Sequence, residues 1–145
     1  MSGDDYNVSV SPIVSFSKGI ETEENKSTFV NTRGYFVQGM LGKKISFSTS
    51  FCENQAIFPN YLHSYIKSNN VVPGQGYARD FKGTGFDYAM SSGHVSYKPN
   101  KMFLLQFGHG KHFIGDGYRS LLLSDNSFNY PFLKIQTNFS KIQYT

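Results

Sequence analysis

An all-β fold is predicted for this chain by its composition, by a two-residue alternation of side chains, and by the length of the alternating segments. Phe (14), Tyr (10) and Gly (14) are abundant, whereas Trp is absent. Aromatic residues combined with Ser, Thr, Asn and Gly are typical of strands and of the turns between them. The chain of 145 residues has the length of one domain. The composition therefore indicates a single β-rich unit.

The alternation is clearest in two segments near the start of the chain. In "NVSVSPIVSFSK" (residues 7–18) one face carries the apolar residues Val8, Val10, Val14 and Phe16. The opposite face is mostly serine, with Ile13 as the exception. In "KISFSTSFCE" (residues 44–53) the polar face is again almost entirely serine: Ser46, Ser48 and Ser50. A period of two indicates a strand with two chemically different faces.

The rest of the chain completes a predicted meander. Further strands are expected at Phe29–Leu41, Gly85–Tyr97, Lys101–Phe107 and Phe132–Tyr144. Hairpin turns are expected at Gly19–Ser27 and Met40–Lys44, and a Pro-Asn turn is expected at Ser96–Met102. Within Gly85–Tyr97 the apolar residues change face around Ser91, Ser92 and Gly93, which predicts a β-bulge. Residues 53–84 are predicted to form a long loop containing one short helix around Tyr61–Ser68.

The length of these strands leaves two architectures open. Several predicted strands run for about 10 to 13 residues, against a mode of about 5 to 6 in soluble sheets. Tilted strands that cross a membrane need about 9 to 11 residues. One hypothesis is thus part of an outer-membrane β-barrel, with the apolar face toward lipid. The alternative is a soluble β-sandwich with one wet face, acting as a carbohydrate-binding module.

Charge and cysteine content exclude other classes of function. The net charge is +4, and the basic residues are dispersed along the chain, so no nucleic acid partner is expected. Cys52 is the single cysteine, which excludes an internal disulfide framework. No apolar run approaches the roughly 18 residues that a membrane-spanning helix requires.

The segment "FGHGKHFIGDGYRSLLLSD" (residues 107–125) concentrates the residues that could carry chemistry. A phosphate-binding loop is excluded because His112 follows Lys111, where that motif requires Ser or Thr. His109 and His112 are three residues apart, which would place them on opposite faces of a strand, so no metal site is predicted. No serine here lies in a nucleophile elbow. The chain is therefore predicted not to be an enzyme and to hold no cofactor.

What remains in this segment is a set of polar candidates for a salt-bridged network or, alternatively, for contacts to a saccharide. The segment itself is predicted to form a strand, a glycine-rich polar turn and a return strand. The candidates are His109, Lys111, Asp116, Tyr118 and Arg119 of this segment, together with Arg33 from an earlier strand.

The amino-acid sequences of three segments resemble those of a known family. These segments are "FGHGKHFIGDGYRSLLLSDNSFNYPFLKIQT", "VNTRGYFVQGMLGKKISFSTSFCENQAIFPNY" and "VPGQGYARDFKGTGFDYAMSSGHVSY". They resemble outer-membrane β-barrels of Bacteroidota of the RemB gliding-motility type, which are related to Wzi-like capsule-assembly barrels. The resemblance extends from about Val8 onward, and its most specific part is the pattern GHGKxFIGDGYRSLLLSD.

The resemblance implies a cell-surface protein of the outer membrane without catalytic activity. Its expected role is gliding motility or the assembly of capsule or exopolysaccharide. The expected partners are outer-membrane lipid and either surface polysaccharide or proteins of the motility apparatus. Family members are longer and begin with a signal peptide, so this chain is expected to be an internal portion of a larger barrel.

Overall fold

The protein is an antiparallel meander of long strands, seen in a computed structural model that describes residues 2–3, 5–115, 127–139 and 142–145. The predicted all-β class and the meander are thereby confirmed. One helix, α1 (Asn60–Asn69), lies between the fourth and fifth strands. The ten strands of the described residues are β1 (Ser2–Gly3), β2 (Tyr6–Glu21), β3 (Lys26–Leu41), β4 (Ile45–Ile57), β5 (Val71–Val72), β6 (Gly76–Phe81), β7 (Gly85–Tyr97), β8 (Phe103–Gly110), β9 (Tyr130–Phe139) and β10 (Ile142–Tyr144).

These strands form one sheet with the order β1-β2-β3-β4-β7-β8-β9-β10. Every neighbouring pair is antiparallel. One edge of β7 is shared, because β8 pairs with residues 93–97 and β6 with residues 85–88. Among the described residues no second sheet packs against this one.

The turns follow the sequence closely. The β2–β3 hairpin closes over residues 22–25, where Asn25 has a positive φ of 50°. The β3–β4 hairpin closes over residues 42–44, where Gly42 has a φ of 59°. Asn and Gly are the residues that adopt this left-handed conformation at least cost. Both predicted hairpin turns are confirmed.

The sheet has two faces, which we call face A and face B. Since side chains alternate along a strand and opposed residues share a face, the register assigns each strand residue to one of them. Face A carries Val10, Val37, Phe47, Val95, Phe107 and Leu133. Face B carries Ser9, Gln38, Ser48, His94, Gln106 and Lys134.

The β-bulge predicted at Ser91–Gly93 is wrong. The register between β4 and β7 runs without interruption from Ile45 opposite Tyr97 to Ala56 opposite Phe86. The apolar residues of β7 change face for another reason: its two ends meet different surroundings. Phe86 is buried on face B at the end near α1, whereas Tyr97 lies on face A at the other end.

Regular elements replace most of the loop predicted for residues 53–84. This segment contains the end of β4, then α1, β5 and β6, and the predicted short helix is confirmed. The Glu21 carboxylate accepts hydrogen bonds from the Asn60 backbone N–H at 3.0 and 3.2 Å, next to the positive end of the helix. Asn70, with a φ of 53°, ends the helix and donates its N–H to the Ile66 carbonyl at 2.7 Å. No helix in the described part of the chain is both long and apolar enough to cross a membrane.

Within the residues that the structure describes, the hydrophobic core lies between α1 and face B, at one end of the sheet. Ile66 of α1 is fully buried there, and Val30, Phe58 and Leu62 pack around it. Asn54, the buried polar residue beside it, accepts from the Thr32 hydroxyl at 2.7 Å and donates to the Tyr88 carbonyl at 3.3 Å. The buried apolar residues are Ala56, Ile66, Val72, Ala78, Phe86 and Tyr88.

Candidate functional site

Face A carries a band of large apolar side chains that the described chain leaves exposed or half-buried. Val10 and Leu133, on strands at opposite ends of the band, are each 67% exposed. Soluble monomers rarely expose a contiguous apolar patch larger than a few hundred Å². We call this surface the apolar band; its members are Tyr6, Val8, Val10, Val14, Phe16, Tyr35, Val37, Leu41, Ile45, Phe47, Phe51, Val95, Tyr97, Phe103, Leu105, Phe107, Leu133, Ile135 and Phe139.

The apolar band is displaced along the strands as it crosses the sheet. On β2 it covers residues 6–16, so Val10 lies near its middle. The register leads from Val10 through β3, β4, β7 and β8 to Pro131 on β9. On β9, however, the band covers residues 133–139, and its middle lies about five residues beyond Pro131. The band thus moves by about one residue at each step between neighbouring strands.

Polar residues of face A limit the apolar band toward the α1 end. Tyr35 and Phe51, with ring centroids 5.9 Å apart, form the apolar pair on β3 and β4 that borders these polar residues, and one more apolar pair, Phe29 with Ile57, lies beyond them. Aromatic rings at the edges of an apolar band are typical of strands that meet a membrane interface. The polar pairs beyond them, opposed in register, are Arg33 with Glu53, Asn31 with Gln55, and Arg79 with Asp87.

Face B is polar at the end away from α1. Its side chains bond to one another across strands: Ser50 Oγ lies 2.8 Å from Ser92 Oγ, and Ser48 Oγ lies 3.2 Å from His94 Nδ1. The Gln106 amide donates to Ser96 Oγ at 3.1 Å. Two cavities of about 540 and 250 Å³ lie over this surface, and Phe36, Ser48 and His94 line both of them. We call this surface the face B groove.

Two glycines of β8 form part of the floor of the face B groove. Gly108 and Gly110 both lie on face B between β7 and β9. A Cβ on Gly108 would lie 2.6 Å from His94 Cβ and closer still to the backbone of β7. Glycine is therefore required at this position so that β8 can approach β7.

Basic residues border the same groove. His112, which follows β8, packs edge-on against Phe132, with ring centroids 4.2 Å apart. The Tyr130 hydroxyl lies 3.4 Å from His112 Nδ1. Burial, followed by the positive charges of Lys134 and His94, lowers the pKa of His112 below its ordinary value of 6.5.

The three predicted site residues that the structure describes, Arg33, His109 and Lys111, do not form one cluster. Arg33 lies on face A opposite Glu53, and His109 lies on face A three strands further along the sheet. Lys111 donates from Nζ to the Gly74 carbonyl at 2.5 Å, which joins the end of β8 to the turn before β6. The other three candidates, Asp116, Tyr118 and Arg119, lie outside the described residues.

The residues that line the face B groove were missed by the sequence reasoning, apart from the serines. His94, Gln106 and Lys134 lie on β7, β8 and β9, which follow one another along the chain, and the register places all three on face B. A usable signal was present, because these residues fall on the polar face of strands that alternate between polar and apolar residues. No signal in the sequence showed that β4, which carries Ser48, pairs with β7.

The candidate site therefore consists of two surfaces, the apolar band on face A and the face B groove behind it. The described residues contain no group of three or more His, Cys, Asp or Glu side chains that could hold a metal ion. Comparison of the chain with protein-family models, with curated proteins and with solved structures found no match.

Proposed function

We propose that this chain is a wall segment of an outer-membrane β-barrel, with face A toward lipid and face B toward an aqueous interior. The segment performs no catalysis. Its partners are outer-membrane lipid on one side and, on the cell surface, polysaccharide or proteins of a motility apparatus. The resemblance to RemB-type and Wzi-like barrels supports a role in gliding motility or in capsule or exopolysaccharide assembly.

The displacement of the apolar band is the observation that carries this proposal. An apolar band in a membrane runs parallel to the membrane plane. When the strands are tilted relative to that plane, the band must therefore cover a different stretch of residues, in register, on each successive strand. One residue per step corresponds to about 3.3 Å along the strand for about 4.8 Å across it, a slope of about 35°. Strands of membrane barrels are tilted by about 35–45°. The slope read from this chain therefore matches the geometry of a barrel wall.

The distribution of burial supports the same orientation. Only the α1 end of face B has a core of its own, and the apolar band has no protein cover among the described residues. Covering a large apolar side chain fully contributes about 1.5–3 kcal/mol. Because many members of the apolar band are exposed, covering them with hydrocarbon would contribute a large favourable free energy.

A pair of tryptophan reporters tests the orientation, because the chain has no tryptophan of its own. Phe107→Trp places the indole on face A, and Phe36→Trp places it on face B. In lipid vesicles we expect brominated acyl chains to quench the first variant and aqueous iodide to quench the second. The two variants are matched, since each replaces one phenylalanine of the same sheet.

Two results would overturn the proposal. One is equal quenching of both reporters by iodide with no effect of brominated lipid. The other is a chain that stays monodisperse in buffer and does not associate with vesicles, which would instead support a soluble carbohydrate-binding protein.

A further inference from the structure

We propose that the face B groove binds an oxyanion, the carboxylate or phosphate group of a ligand inside the barrel. The inference rests on the proposed function only because face B must be reached by water. The barrel architecture alone would make this surface a polar lining, and it would not by itself make the surface a binding site for a negatively charged group.

Basic side chains adjoin the groove, and no acidic residue accompanies them among the described strand residues. Lys134 and His94 lie on face B of β9 and β7, and His112 stands over the end of β8. The described strand acids of face B, Glu21 and Asp80, both lie at the α1 end. There Glu21 binds the start of α1, and Asp80 pairs with Lys67 at 2.6 Å. An incoming anion would meet no described carboxylate in the groove.

Hydroxyl and amide donors lie beside these basic side chains. The hydroxyls of Ser48, Ser50 and Ser92 and the amide of Gln106 face the same space. Hydroxyl and amide groups can turn their hydrogens toward an oxyanion, and bonds to a charged acceptor are about twice as strong as neutral ones. The groove thus offers both the charge and the directional donors that an oxyanion requires.

The glycines of β8 provide the space. Because Gly108 and Gly110 have no side chains, the backbone itself forms the floor between His94 and Phe132. Strands that are second neighbours are about 9.6 Å apart, so the gap is wide enough for a carboxylate or phosphate group. The cavity at this position has a volume of about 250 Å³.

Protonation of the histidines should couple to anion binding. The titratable groups facing His112 are Lys134 and Tyr130 from β9, His94 from β7, and Lys111 beside it; β3 and β4 contribute only Phe36 and serines to this cavity. The neighbouring positive charges disfavour protonated His112, and a bound anion would offset them. Binding should therefore strengthen as the pH is lowered through the ordinary range of histidine.

Calorimetric titration of the full chain in detergent micelles tests the site with three probes. These are inorganic phosphate, a uronic acid trisaccharide and a neutral glucose trisaccharide. We expect phosphate, the uronic acid or both to bind, and the neutral sugar not to bind. Phosphate alone would identify a free or lipid phosphate as the source, and the uronic acid alone would identify an acidic saccharide. Affinity should be higher at about pH 5.5 than at about pH 7.5.

Charge removal provides the control. Lys134→Gln should weaken binding by about tenfold or more, the size expected for a lost hydrogen bond to a charged group. Lys98→Gln, in the exposed turn after β7, removes the same charge elsewhere and should leave affinity unchanged. His94→Gln gives a second variant in the groove and should remove part of the pH dependence.

The outcomes separate this inference from the proposed function. If the folded chain inserts into vesicles but binds neither anion, or binds the neutral sugar equally well, the oxyanion site is overturned and the barrel wall stands. Equal weakening by Lys134→Gln and Lys98→Gln would also overturn the site. If the chain binds anions in buffer but does not associate with lipid, the site stands and the barrel wall fails.

Discussion

Arginine substitutions along β2 give the sharpest quantitative prediction. Val10 and Ile20 both lie on face A of this strand and are exposed to nearly the same extent, 67% and 66%. They differ in depth, since ten residues separate them by about 33 Å along the strand. Val10 lies near the middle of the apolar band, whereas Ile20 lies beyond Lys18, at the polar end.

The expected cost follows from what each side chain contacts. In lipid, the exposed two-thirds of Val10 is covered by hydrocarbon and contributes about 1–2 kcal/mol. Replacing it with a charged group at mid-depth brings the total cost of Val10→Arg to about 2–4 kcal/mol. Ile20→Arg, near the interface, should cost about 0–1 kcal/mol. Ser9→Arg is adjacent to Val10 in sequence but lies on face B, so its cost should be within about 0.5 kcal/mol.

The assay is denaturant unfolding of each variant in lipid vesicles, followed by far-UV circular dichroism. The free energy of unfolding is compared between variants for which its slope against denaturant concentration is the same, so that the differences report stability alone. Water would solvate both face A positions alike. Equal costs for Val10→Arg and Ile20→Arg would therefore refute the assignment of face A to lipid.

Three further predictions test the local structure. Gly108→Ala should destabilise the protein by more than about 1 kcal/mol and speed amide exchange in β8, because a Cβ would overlap the neighbouring strand; wild-type exchange rates would contradict this packing. Ile66→Ala should cost about 2–5 kcal/mol in the free energy of unfolding, whereas Tyr61→Ala, at a helix position 77% exposed, should cost much less. The pKa of His112, measured by NMR, should lie below 6.5 and rise in Lys134→Gln. Since the unfolded chain takes up that proton more readily, His112 should make the protein less stable as the pH falls through 6.5, and a pKa above 6.5 would contradict the arrangement.

Local features of the sequence were sufficient to predict the strands that alternate throughout. Serine at every second position of residues 44–53 identifies β4 and its polar face, because a period of two is a property of the strand itself. The two hairpins were predictable for a similar reason, since Asn25 and Gly42 lie within turns short enough to define the pairing of their strands.

The features that the sequence could not predict depend on contacts between residues that are far apart in the chain. The change of apolar face in β7 indicated a bulge, but it arises because α1 covers face B near Phe86 and leaves it open near His94. The pairing of β4 with β7 passes over α1, β5 and β6, and no local pattern encodes it. The face B groove depends on this pairing too, because Ser48 becomes a neighbour of His94 only through it.

Accessibility of spin labels along β4 is the most direct measurement of the central claim. With Cys52 replaced by serine, a nitroxide is attached in turn at cysteines introduced at Phe47, Ser48, Thr49 and Ser50, which alternate between the two faces. In vesicles, collisions with oxygen dissolved in lipid should be frequent at Phe47 and Thr49. Collisions with a water-soluble nickel complex should be frequent at Ser48 and Ser50. If the nickel complex reaches all four positions equally, face A does not contact lipid and the barrel-wall assignment is wrong.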